Sequence, residues 1–173
     1  MDKGVINLFK KSNLHCIFLR NINNLGPGAT RNKGIENSYN NYILFMDADD
    51  LFTNNKALEI LYKKINNNYL AIEFNAFTPD SKNGKPVNLI NRNILQKIQY
   101  KNFYFGEDNE FRIRLYSTIP EENFYFFFND NNIFMEYNTT SWGNNLTSTF
   151  YLDDNLLFSQ IVTLFIGFYE IFS

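Results

Sequence analysis

The feature that most constrains this chain is an apolar run, Tyr42-Ile43-Leu44-Phe45-Met46, that stops abruptly at Asp47-Ala48-Asp49-Asp50. A run with no alternation has no polar face to offer water, so it reads as a strand buried on both sides, the kind found in parallel sheets covered by helices. The preceding residues agree. Residues 15–20 read as a buried strand, Gly26 and Pro27 punctuate a loop beginning at Asn21, and Gly28 to Tyr39 reads as a helix. Strand, helix, strand predicts an α/β chain with a mostly parallel, Rossmann-like sheet flanked by helices. In such sheets ligand sites gather at the carboxyl ends of strands, where the acids lie. Carboxylates crowded there repel unless a cation neutralises them, and hard oxygen ligands select Mg²⁺ or Mn²⁺. The competing reading of the same acids is a solvated turn that caps the next helix.

With 173 residues, 45% of them hydrophobic and 20% charged, the chain is long enough for one sizeable core, so a single domain is expected over residues 1–173. Within it, 1–52 forms the half carrying the acids, 53–150 a second half, and 151–173 a C-terminal helix. Residues 2–12 suggest a short amphipathic helix. Thr53 or Asn54 can cap a helix running to about Ile65, and Leu70 to Phe77 reads as a strand. Pro79 to Pro86 is a turn-rich break, Asn91 to Ile98 a short helix, and Glu107 to Ser117 a helix with an i,i+4 pair between Glu110 and Arg114. Strands are expected at Phe124 to Phe128 and Ile133 to Tyr137. Leu156 to Phe172 is almost wholly apolar, with Gln160, Thr163, Gly167 and Glu170 forming a narrow polar stripe. It is short for a membrane span and carries a charge, so a docked core or dimer helix is expected, with peripheral membrane contact as the alternative.

A formal charge of −2 and no Lys/Arg cluster give no electrostatic footprint for nucleic acid. Cys16 is the single cysteine and lies in an apolar run, which indicates a buried inert thiol and excludes an internal disulfide. Met1-Asp2-Lys3-Gly4 lacks a signal-peptide layout, so a cytoplasmic location is expected. His15, the sole histidine, reads as structural. Trp142 can pin a loop or stack on a sugar face.

The acids do not stand alone. Asn24-Leu25-Gly26-Pro27-Gly28-Ala29-Thr30-Arg31-Asn32-Lys33-Gly34-Ile35, followed by the apolar strand and Asp47-Ala48-Asp49-Asp50, resembles the central signature of family 2 glycosyltransferases of the GT-A fold. Downstream, Phe105-Gly106-Glu107-Asp108-Asn109-Glu110-Phe111 with Arg114-Leu115 resembles that family's Glu-Asp acceptor motif. Leu89 to Leu95 resembles the segment leading into the acceptor half, and Met135-Glu136-Tyr137-Asn138 with Ser141 is similar to the closing strand. The likeness covers about residues 2–145. It also implies that the usual first strand-helix-strand unit is absent, so that the chain is N-terminally truncated. The sheet edge beside the Asp strand is then expected to be covered by another segment or by a second copy in a homo-oligomer.

Carried over position by position, the resemblance implies a nucleotide-sugar donor, foremost a UDP-sugar, and a glycan, lipid-linked or protein acceptor. Asp49 and Asp47 would hold Mn²⁺ or Mg²⁺, with Asp50 a secondary candidate. Asp47 would also approach the ribose. Arg31 would face the diphosphate or brace the acidic loop, and Asn24 with Gly26 would let backbone approach the nucleotide. Asp108 would be the general base of an inverting transfer, with Glu107 positioning it or binding an acceptor hydroxyl. Thr30 stands where the family usually has Ala. The alternative function is a non-catalytic or degenerate glycosyltransferase-like module that binds sugar or a partner. A phosphotransferase of the haloacid dehalogenase type is disfavoured because Leu51 stands where that motif wants Thr.

Overall fold

The computed structural model describes residues 17, 19, 21–47, 50–52, 56–65, 67–78, 81–103, 106–127, 135–137 and 162–167, of which 47, 50, 51, 76–78, 81–85, 135–137 and 162–167 are described as backbone only. In chain order its elements are α1 (Gly26–Glu36), β1 (Tyr42–Asp47), β2 (Asp50–Phe52), α2 (Ala57–Ile65), β3 (Ala71–Thr78), β4 (Ser81–Asn91), α3 (Arg92–Lys97) and α4 (Glu107–Thr118). A 3₁₀ turn (Glu121–Asn123), β5 (Phe124–Phe126), β6 (Met135–Tyr137) and β7 (Val162–Gly167) follow. The expected helix at 2–12 lies outside the described residues, as does nearly all of the strand at 15–20.

Both faces of the apolar run are indeed buried, and this organises the layers. Tyr42, Leu44 and Met46 point into one cluster, where Ala57, Leu61 and Ile65 of α2 meet them. Ile43 points the other way, into a cluster with Ile35 of α1, Ile94 and Leu95 of α3, and Phe111 and Leu115 of α4, while Phe45 packs partly buried against it. The sheet is thus sandwiched between α2 and a layer of three helices. Burying a Leu or Ile side chain of this kind contributes about 1.5–3 kcal/mol. The helix ends are set locally. Pro27 fills the first turn of α1, and the Asn91 side chain accepts the Asn93 N–H at 3.0 Å to start α3.

The expectation of a mostly parallel sheet is corrected: the sheet is mixed. Its order is β2-β6-β3-β4-β1-β7, with β5 also on β3. β1/β7, β3/β5 and β3/β6 are parallel, whereas β1/β4, β3/β4 and β2/β6 are antiparallel. The cause is a hairpin. Thr78 pairs with Ser81, so only Pro79-Asp80 separates β3 from β4, and a connection that short cannot carry the crossover a parallel neighbour needs. The turn-rich break expected over Pro79 to Pro86 therefore shrinks to its first two residues, and Ser81 onward is strand.

The expected C-terminal apolar helix is corrected as well. Val162–Gly167 is a strand, parallel to β1 in unbroken register from Tyr42↔Val162 to Asp47↔Gly167. The unpaired N–H and C=O groups along the edge of β1 outweigh the helical spacing of the polar residues, and Val162, Thr163 and Ile166 are β-branched residues that suit a strand. The edge of β1 expected to need cover is closed by this segment of the chain itself. The rest of 151–173 lies outside the described residues, among which no helix is long and apolar enough to cross a membrane.

Leu164→Pro removes a backbone donor from the middle of β7 and should leave part of the β1 edge unpaired. A stability loss of about 1–3 kcal/mol is expected in denaturant melts, with a greater tendency to aggregate. Wild-type stability in this variant would speak against β7 as a structural strand.

Candidate functional site

A cavity of about 300 Å³ opens at the carboxyl end of β1, at the small end of the ~300–1,000 Å³ range of ligand sites. Phe45, Val87 and Asn88 line it from the sheet, and Glu107, Asp108, Phe111 and Arg112 line it from α4. Arg31 of α1 and Tyr100 complete the wall. The hairpin matters here. Because β4 runs antiparallel to β1, its early residues Pro86 to Asn88 lie at the end where β1 finishes, and they contribute to the cavity.

Arg31 ties these pieces together. α1 buries Gly28, Arg31, Gly34 and Ile35, a single helical face. From that face the Arg31 Nη1 donates to Asp108 Oδ1 at 2.7 Å and to Glu107 Oε1 at 3.2 Å. The guanidinium also lies 5.2 Å from the centre of the Tyr100 ring, which stacks on Phe111 at 4.0 Å. Its side chain is only 7% exposed, whereas that of Asp108 is 42% exposed. One Asp108 oxygen is therefore held by a buried cation while the carboxylate remains open to the cavity.

The loop carrying Tyr100 is fixed from two sides. The Asn32 amide donates to the Tyr100 carbonyl and accepts its N–H, both at 2.8 Å. Gly28 permits this approach, since a Cβ there would sit 2.7 Å from the Lys101 carbonyl oxygen. On the other side, Glu110 of α4 accepts from Arg114 and pairs with Lys101 at 2.7 Å, and Arg114 also donates to the Gln99 carbonyl. Hydrogen bonds from Arg114 and then Lys101 hold the Glu110 carboxyl down at about 2.

Of the residues expected from sequence, Arg31, Glu107 and Asp108 are brought together. Arg31 is engaged with the α4 carboxylates. Both carboxylates line the cavity, Glu107 buried at 9% exposure and Asp108 more open. Asn24 accepts the Gly26 N–H at 2.9 Å, with Gly26 at φ 79°, so this pair shapes the turn entering α1 and does not line the cavity. Thr30 donates to the Gly26 carbonyl and accepts from Asn21 within the same turn. Asp47 is the last residue of β1, and Asp49, His15, Cys16 and Trp142 lie outside the described residues. Among the described residues no cluster of three metal-ligating side chains occurs. Aspartate carboxylates, the residue type of Asp47 and Asp49, are hard oxygen donors of the kind that Mg²⁺ and Mn²⁺ take. Sequence reasoning missed Asn32 and Tyr100 as supports of the site. Asn32 stood inside the Arg-Asn-x-Gly motif; Tyr100 had no local signal, because its role is set by α1 and α4.

Residues 3–154 match the model of the family described as Glycosyl transferase family 2. Over 64 residues the chain is 38% identical to an uncharacterized glycosyltransferase of Methanocaldococcus jannaschii, covering 37% of this chain and 22% of that protein. It is 38% identical over 68 residues to an uncharacterized glycosyltransferase of Rickettsia bellii, covering 39% and 10%, and 39% identical over 62 residues to one of Rickettsia felis, covering 36% and 10%. The matched stretch thus spans about a fifth or less of the length of these relatives.

Asn32→Ala should cost about 1–3 kcal/mol, because it removes two hydrogen bonds, to the Tyr100 N–H and carbonyl, and denaturant melts read this directly. Glu110→Gln should be pH-sensitive in a defined sense. The folded carboxyl titrates near 2 against an ordinary 4.5, so its contribution is present above about pH 4.5 and fades as pH falls toward 2. The stability gap between wild type and Glu110→Gln should close over that window; a gap that stayed constant through it would contradict the ion-pair account.

Proposed function

We propose that this chain, which belongs to glycosyl transferase family 2, moves a sugar from a nucleotide-diphosphate sugar to an acceptor hydroxyl, with Asp108 as the general base. The observation that carries this reading is the Asp108 carboxylate, held through Oδ1 by buried Arg31 and open to a cavity at the carboxyl end of β1. A base must lie within hydrogen-bond reach of the proton it takes, and a fixed carboxylate facing a sugar-sized space meets that need.

In the proposed step the acceptor oxygen attacks the anomeric carbon and its proton passes to Asp108. The bond from the anomeric carbon to the diphosphate oxygen breaks, and the nucleoside diphosphate leaves with the electron pair. Attack from the face opposite the leaving group inverts the anomeric centre. Glu107, buried beside Asp108 and sharing Arg31, positions the pair. Asp49 and Asp47 would hold Mn²⁺ or Mg²⁺, which when bound neutralises charge on the departing diphosphate. Tyr100 and Asn32 support Arg31 and so keep Asp108 in place.

The test is hydrolysis and transfer with a panel of UDP-sugars in the presence of Mn²⁺ or Mg²⁺. Asp108→Asn should lower turnover by about 10²–10⁴-fold while UDP still binds in calorimetry. Asp49→Ala should remove the metal dependence of UDP binding. Turnover unchanged by both substitutions would refute the assignment, and UDP binding without any wild-type turnover would identify a binding module instead.

A further inference from the structure

We infer that the cavity takes a neutral acceptor with at least two hydroxyls on one ring, a saccharide in place of a simple alcohol or an acid, and that Asn88 and Arg112 select it. The inference rests on the transfer reading for the role of Asp108, but not for the chemistry of the second contact.

Glu73 of β3 and Asn88 of β4 are cross-strand partners on the sheet beneath α4. Arg112, one helical turn beyond Asp108, pairs with the Glu73 carboxylate at 3.6 Å and donates from Nη2 to the Tyr116 hydroxyl, which in turn donates to Glu73. Two atoms are left over. Asn88 Oδ1 and Arg112 Nε are buried and have no hydrogen-bond partner among the described residues. Both residues line the same cavity as Asp108.

A buried polar atom without a partner is costly, and each such atom in a folded protein calls for a physical explanation. Here one is an acceptor and the other a donor. A carboxylate or phosphate dianion offers no hydrogen to Asn88 Oδ1, and an ammonium offers no lone pair to Arg112 Nε. Hydroxyls offer both. Charge points the same way: Arg31 and Arg112 face Glu73, Glu107 and Asp108, so the wall has no surplus positive charge for an anion. Side chains at i and i+4 on a helix lie about 5–6 Å apart, so one sugar ring can place its reacting hydroxyl at Asp108 and another hydroxyl at Arg112 and Asn88.

The experiment is an NMR titration of the full chain, with and without UDP, using methyl β-D-glucopyranoside, methyl β-D-galactopyranoside, methyl β-D-glucuronide and the single-hydroxyl control cyclohexylmethanol. At least one neutral glycoside should bind the wild type about tenfold or more tighter than the control and tighter than the glucuronide. In Asn88→Leu and in Arg112→Lys that preference over the control should fall to near unity. Arg112→Lys keeps a cation opposite Glu73, so its melting curve separates loss of a ligand contact from loss of the fold. A control that binds as well as the glycosides, a glucuronide that binds best, or a preference that survives either substitution overturns the inference. No turnover is needed, so this outcome is read independently of the Asp108→Asn test.

Discussion

One buried guanidinium holds the site together. Arg31 reaches from α1 to the first turn of α4 and lies against the Tyr100 ring, so a single cation joins two helices and a loop. Removing one partner of a buried pair leaves an uncompensated charge and typically costs about 3–5 kcal/mol, far more than the pair adds over an apolar replacement. Such a contact therefore does more for geometry than for net stability. Gly28 and Asn32 follow from the same requirement, because α1 must lie close against the 100–101 backbone before Arg31 can span the gap.

The mixed sheet determines what surrounds that cation. A parallel crossover after β3 would have sent the chain over the sheet, whereas the hairpin returns β4 between β3 and β1 and brings Asn88 under α4. That placement puts Glu73 and Asn88 side by side on the face beneath α4. Arg112 and Tyr116 cover Glu73, and burial, then the bond to Glu73, raise the Tyr116 hydroxyl above its ordinary value. The hydroxyl stays protonated and remains a donor to the carboxylate. On the far side of β1, β7 supplies backbone partners along the whole strand, so the residues leading to the Asp motif are enclosed by strands on both edges.

Family membership and the local architecture agree at the level where each is informative. The Glycosyl transferase family 2 match spans both the Asp motif and Glu107-Asp108, and the fold brings the second of these against Arg31 from the loop-helix segment that precedes the first.

Much of this was legible in the order of residues. The uninterrupted run Tyr42 to Met46 read as a strand covered on both faces, Asn91 to Ile98 read as a short helix, and Glu107 and Asp108 opened another where acids favour the helix dipole. These are local effects, set by periodicity and by side chains acting on their own backbone. The direction of β4, the strand state of Val162–Gly167 and the partner of Arg31 were not legible, because each is decided by a group far away in sequence. The edge of β1 recruits β7 across more than a hundred residues, and Arg31 meets Asp108 at a separation of 77. Sequence alone determined which residues could be strand, helix and acid; only the tertiary structure decided which backbone edge and which charge each would satisfy, since buried hydrogen-bonding groups and ions must find partners wherever the chain can bring them.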